Sequence, residues 1–313
     1  MSERNRRLTR TKWPYLFISP FFLIYGVFGL FPILFTLYIS LTSWSILSPP
    51  KFVGLKNYIF VFTRDPLFLR SIGNVLLFSV IVIPLLLGFG IMLAELLRTR
   101  WLRAKGMFRL AIFSPYLTTP VAIGILFALI FDWNNGILNR ILLSIGVLHH
   151  GYDWLGYAGS ARTVVIMMLF WKYVGYNMMF YVAGMSRISP EIYEAAIVDG
   201  AGAVRTFFRI TVPLLAPISL FLLITSIIGG MQLFEEPLLL LSGWVGQSGQ
   251  SAIAGPDNSC LTPIWHLYNL AFGAGSLQFG RGSAVAYATF IFIAVFSFFG
   301  IRVMGRRQIG PLT

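Results

Sequence analysis

Tyr173, Tyr176 and Asn177 stand in the stretch FWKYVGYNMMFY, at spacings that place all three on one face of a helix. Two phenol rings beside an amide suit a ligand that presents both apolar CH surfaces and hydroxyls. The same spacing serves aromatic packing between helices, with the hydroxyls bonded locally. Lys172 adjoins the set inside an apolar run, where a charge is costly and points to function or to an acid on a neighbouring helix. Snorkelling to an interface is the other outlet for such a lysine. A second polar set follows in TSIIGGMQLFEEPLLLL. Gly229 and Gly230 loosen the helix there, so that Ser226 and Gln232 face the same region as the aromatic set. Glu235 joins that path, or else it and Glu236 are architectural acids at an outer mouth or paired with Lys172, Arg162 or Arg281.

Other chemistry is excluded. The single cysteine, Cys260, permits no disulfide within the chain. His149 and His150 are adjacent and His266 is distant, so no metal-ligand spacing exists. No G-x-x-x-x-G-K-[ST] occurs, and no acid–base pair sits in a soluble domain. The chain is expected to be no enzyme and to bind no cofactor.

The elements that carry these residues are membrane spans. The chain is 57% hydrophobic and 11% charged, against about 25% charged in a soluble domain. Six apolar segments, near 15–41, 72–97, 107–131, 162–185, 213–241 and 284–304, meet the length of roughly 20 residues that a bilayer requires. The first follows a basic head, as in a signal peptide, but runs too long for one and lacks a cleavage pattern. Trp13, Trp44, Trp101, Trp133 and Trp154 fall near span ends, as interfacial aromatics do. Sixteen lysines and arginines fall on the side of the two termini and the second and fourth connections, and seven on the other side. The positive-inside rule therefore puts both termini in the cytoplasm. That asymmetry accounts for most of the net charge of +13, so no nucleic-acid partner is expected. The expected fold is an all-α polytopic membrane protein: a basic N-terminus at 1–14, a six-helix domain at 15–304 and a C-terminus at 305–313.

The stretch 186–212 interrupts this pattern on the cytoplasmic side. SPEIYEAAIVDG reads as one short helix, with Ser189 as N-cap, Pro190 at the first position and Glu191 in the first turn. Gly200 stands where a left-handed residue ends a helix. Ile192, Tyr193, Ala196 and Ile197 fall on one face. AVRTFFRITV then leads to Pro213 and Pro217, which mark the bend into the next span. Physics alone permits an ordinary helical hairpin here.

The residue string goes further. Glu194-Ala195-Ala196, Asp199-Gly200-Ala201, Phe208-Arg209-Ile210 and Val212-Pro213 resemble the EAA loop of ABC-importer permeases, with Val212 in place of the usual leucine. FVGLKNY at 52–58, Pro32 with Ser40, HLYNLAF and GRGSAVAYATFIF resemble further stretches of the carbohydrate-uptake branch, of the type of the larger maltose-transporter permease. The resemblance covers most of the chain. It implies the type I importer permease fold, with 190–202 as a coupling helix docked on a separate ATPase that holds ATP and magnesium. Docking falls to Glu194, Ala195, Ala196, Asp199 and Gly200, with Glu194 the leading contact, Gly200 structural and Asp199 open. It implies a second homologous permease in a heterodimer, two ATPase subunits and an extracytoplasmic solute-binding protein, in a bacterial or archaeal inner membrane. The spans flanking the loop would contact the sugar, through Lys172, Tyr173, Tyr176, Asn177, Ser226, Gly229, Gln232 and Glu235. Neutral oligosaccharides are the default; Lys172 leaves room for an anionic sugar, and Glu235 and Glu236 oppose one. The outer loop 242–281 would receive the binding protein or be a flexible connection. A secondary transporter or channel is the rival class, and it needs an ion-coupling or pore motif.

Overall fold

The computed structural model describes residues 13–45, 48–99, 102–242, 254–273 and 277–308. The basic N-terminus, Arg100, Trp101, most of the Gly/Ser-rich part of the outer loop and residues 309–313 lie outside them. The chain divides into two compact units, residues 1–64 with 267–287 and residues 65–266 with 288–313.

In the first unit, α1 (Trp13–Tyr25) passes through a π-helical turn at Gly26–Leu30 into α2 (Phe31–Ser40). Residues 15–40 form one apolar span whose most apolar window buries nothing within the chain. A surface of this kind is made for lipid or another apolar helix. An antiparallel hairpin of β1 (Thr42–Ser45) and β2 (Ser48–Phe52) follows. Then Gly54, at φ +59°, turns the chain into α3 (Lys56–Thr63). The buried Asn57 amide donates back to the carbonyls of Ser40 and Thr42 at 2.8 Å each. This closure is the physical content of the FVGLKNY stretch: a left-handed glycine three residues before an asparagine that satisfies two otherwise orphaned carbonyls.

The second unit is built on α4 (Pro66–Arg98), six residues longer at its start than the hydropathy predicts. Asp65 explains the extension. Its carboxylate caps the helix by accepting from the amides of Leu67 and Phe68, and Pro66 supplies the first helical residue.

The third span is broken. α5 (Lys105–Leu117) and α6 (Pro120–Ile130) meet at 98°, where a single helix over 107–131 is expected. Pro120 drives Thr119 into extended backbone, and Thr119 then caps α6 through the amide of Ala122. α7 (Ile137–Ser144) lies in the connection to α8 (Ala158–Met185). α4, α5 and α8 pack together, and α8 approaches α5 so closely that a Cβ on Gly175 would stand 2.0 Å from the Ile112 carbonyl oxygen.

After α8 come the short elements α9 (Pro190–Val198), α10 (Ala203–Thr206), a π-helical turn at Phe207–Thr211 and α11 (Val212–Leu214). The fifth span bends by 63° at Leu215 into α12 (Ala216–Met231). It does not continue to 241 as one helix: it stops at Met231, directly after the Gly229–Gly230 pair, and restarts as α13 (Glu235–Leu241) packed on α6. Pro263 starts α14 (Pro263–Phe272), and α15 (Phe279–Gln308) carries the last span. Among the described residues four helices are long and apolar enough to cross a membrane, and counting each bent pair as one span gives six.

Candidate functional site

The break between α12 and α13 opens a cavity of about 220 Å³ against α4, α5 and α8. Tyr173, Tyr176, Asn177, Ser226 and Gly229 line it, five of the eight path residues picked out by type and spacing. Tyr116 joins them from α5, with ring centroids 4.7 Å from Tyr176 and 6.0 Å from Tyr173. Three phenol rings from two helices thus make one aromatic wall. The α4 wall is mixed, with Ser79 among Phe78, Val82, Ile83 and Leu86. Asn177 is 1% exposed and its Nδ2 donates to the Tyr173 carbonyl at 3.0 Å, which fixes the amide orientation. Its Oδ1 is buried and accepts nothing among the described residues.

Lys172, Gln232 and Glu235 do not line the cavity. Gln232 and Glu235 are exposed, beyond the end of α12 at Met231. Lys172 is buried behind the wall, and its Nζ pairs with Glu236 Oε1 at 2.5 Å. The same oxygen accepts the Tyr173 hydroxyl at 3.0 Å. Of the partners weighed for the acids, the structure selects Glu236 with Lys172. Arg162 instead bonds the Ser259 carbonyl and the Asn74 side chain, pinning the outer loop to α4 and α8. Asn74 reaches the carbonyls of Asn258 and Leu261.

The short helix α9 forms as expected in its ends. Pro190 is at its first position, though the Ser189 hydroxyl makes no capping bond. Gly200 at φ +72° ends it in a Schellman arrangement, with Ala201 donating to the Ala196 carbonyl and Gly200 to that of Ile197. Its predicted single apolar face is divided. Ala196 is buried and Tyr193 half-buried, whereas Ile192, Ile197 and Val198 are exposed together with Glu194, Ala195 and Asp199. The Tyr193 ring lies 4.1 Å under the Arg98 guanidinium, which Glu95 holds in a fork on the last turn of α4. Sequence reasoning counted Arg98 only as topological charge. The i, i+3 spacing of Glu95 and Arg98 at a helix end was the signal available for the pair, and nothing local pointed to Tyr193.

Residues 86–307 match the family described as binding-protein-dependent transport system inner membrane component. The chain belongs to this family. It is a multi-pass inner-membrane permease component of an ABC importer, a non-catalytic membrane subunit, and the secondary-transporter reading falls away. The permease is 35% identical over 284 residues to the lactose transport system permease protein LacF of Rhizobium radiobacter, covering 91% of each chain. It is 31% identical to the arabinooligosaccharides transport system permease protein AraP of Bacillus subtilis, covering 93% of this chain and 88% of that one. It is 29% identical to the sn-glycerol-3-phosphate transport system permease protein UgpA of Yersinia pseudotuberculosis, covering 87% and 88%. A solved bacterial ABC transporter involved in import of the acidic polysaccharide alginate shares its fold, with a TM-score of 0.81 at 20% identity over 99% of this permease and 100% of that chain.

Proposed function

We propose that this permease forms the path of a saccharide through the membrane and is driven by ATPase subunits docked on α9. The observation that carries the sugar reading is the cavity: a wall of Tyr116, Tyr173 and Tyr176, with Ser79 and Ser226 in the same lining. Aromatic faces take up the CH surfaces of a pyranose, and the serine hydroxyls bond its hydroxyls. Relatives named for lactose and arabinooligosaccharides support it. The exposed Ile192, Ile197 and Val198, interleaved with Glu194, Ala195 and Asp199, are the surface for the ATPase cleft. Both termini lie in the cytoplasm, and a second permease and an extracytoplasmic binding protein complete the importer, the latter in keeping with the family's description.

Two measurements test this. Tyr176→Ala should cut sugar uptake by the reconstituted importer at least tenfold while leaving the subunits assembled. Unchanged uptake of every saccharide that the binding protein delivers would remove the cavity from the path. Glu194→Lys should abolish co-purification of the ATPase, and retained assembly with full transport would remove α9 from the docking role.

A further inference from the structure

The named relatives fall on both sides of a charge divide, with lactose on one and glycerol phosphate on the other, so family membership leaves the charge of the substrate open. The cavity does not. Among the described residues that line it, none is charged. Two charges stand behind its wall, Lys172 and Glu236, each 5% exposed and paired at 2.5 Å. Glu236 Oε1 also accepts the Tyr173 hydroxyl at 3.0 Å, and the Lys172 ammonium stands 5.1 Å from the centre of the Tyr173 ring. One carboxylate oxygen therefore does two things. It cancels the ammonium beside the wall, and it turns the Tyr173 hydroxyl away from the ligand so that the ring faces the cavity.

We propose that the Lys172–Glu236 pair, through Tyr173, makes this cavity select uncharged saccharides over their acidic counterparts. The inference rests on the carbohydrate reading and narrows it. An acidic sugar entering the cavity leaves water without meeting a free cation on this wall, which is costly; a neutral one needs only hydroxyl partners and CH contact. Glu236 is a positioning residue: it touches Lys172 and Tyr173 and acts on the ligand through them. Replacing its carboxylate by an amide keeps an acceptor for Tyr173 but leaves the Lys172 charge uncancelled. Lys172 then becomes an attractive centre for an anion.

The test is equilibrium binding to the importer assembled in nanodiscs, without the binding protein, so that its own selectivity does not enter. The probes are matched pairs, cellobiose against cellobiouronate and lactose against lactobionate. The wild type is expected to bind each neutral sugar at least tenfold more tightly than its acid. Glu236→Gln should narrow that ratio tenfold or more, through tighter binding of the acids that weakens with salt. Lys172→Met combined with Glu236→Gln should restore the neutral preference. If Glu236→Gln fails to assemble, Lys172→Gln serves in its place and should widen the ratio, since it leaves only the negative partner. Equal binding of acid and neutral sugars by the wild type, or a ratio within twofold of wild type in Glu236→Gln, overturns the selectivity inference and leaves the sugar reading standing. Binding of no sugar by the wild type and all variants overturns the carbohydrate reading and this inference with it.

Discussion

Glu236 is the residue on which most of the site depends, because its carboxylate is shared by two partners and shielded from water. A buried ion pair is weak evidence for stability, yet removing one partner leaves an uncompensated charge. Glu236→Ala should therefore destabilise the permease by about 3–5 kcal/mol, whereas Lys172→Met with Glu236→Leu should lie close to wild type. Thermal unfolding of the three proteins in detergent checks this; a double variant as unstable as the single one would show that packing, rather than charge, sets the cost. The sequence marked Lys172 as expensive and named Glu236 among its possible partners. It could not choose between Glu235 and Glu236, because that choice depends on the exact residue where α12 stops. The aromatic face of α8 was legible from the i, i+3, i+4 spacing alone. Tyr116 was not, since its approach depends on the 98° break at the end of its helix and on the missing side chain of Gly175.

At the scale of the elements, the first turn of α4 is fastened to α14 through a single acid. Asp65 caps α4 with one oxygen, and the other meets His266 Nε2 at 2.7 Å. Burial pushes the Asp65 carboxyl upward, but the hydrogen bond and charge of His266 and the amides of Phe68 and Leu67 outweigh it, so it is held below its ordinary value. A carboxyl whose pKa is lower folded than unfolded gives stability that is fully present above the unfolded pKa, about 3.9, and is lost as the pH falls through the folded one. Protonation of Asp65 should thus remove its contribution only below about pH 4. Asp65→Asn should lower stability at pH 7 and lose less than wild type on acidification to pH 3. A wild type and an Asn variant with parallel stability curves between pH 7 and pH 3 would contradict this. The same scale shows why span boundaries were harder to read than span number. Hydropathy registers six apolar blocks, but Pro120, Leu215 and the Gly229–Gly230 pair divide two of them by backbone geometry that leaves the apolar count unchanged.

Across the whole second unit, α4 and α8 both run from the cavity towards α9. Ser79 and Tyr173 line the cavity from these two helices, while Arg98 ends α4 over Tyr193 and α8 leads into α9 within five residues. The Glu95–Arg98–Tyr193 contact ties α9 to α4, beside its covalent links to α8 and α10 and the bond of the Tyr193 hydroxyl with Thr211. Force applied to α9 by an ATPase can pass into α4 only where the two are held together. A cation over an aromatic ring at a partly exposed site is worth about 0.5–1 kcal/mol. Arg98→Ala should therefore weaken the coupling of ATP hydrolysis to transport by roughly two- to fivefold. Sugar binding in the cavity should be unchanged, since no group there is touched. Arg98→Lys, which keeps the charge but loses the planar fork to Glu95, should fall between the two. The measurement is the number of ATP molecules hydrolysed per sugar imported by the reconstituted importer, with ATPase co-purification as the assembly control. An unchanged ratio in Arg98→Ala would mean that α9 drives the cavity without its contact to α4, and a lost ATPase subunit would mean that Arg98 shapes the docking surface itself.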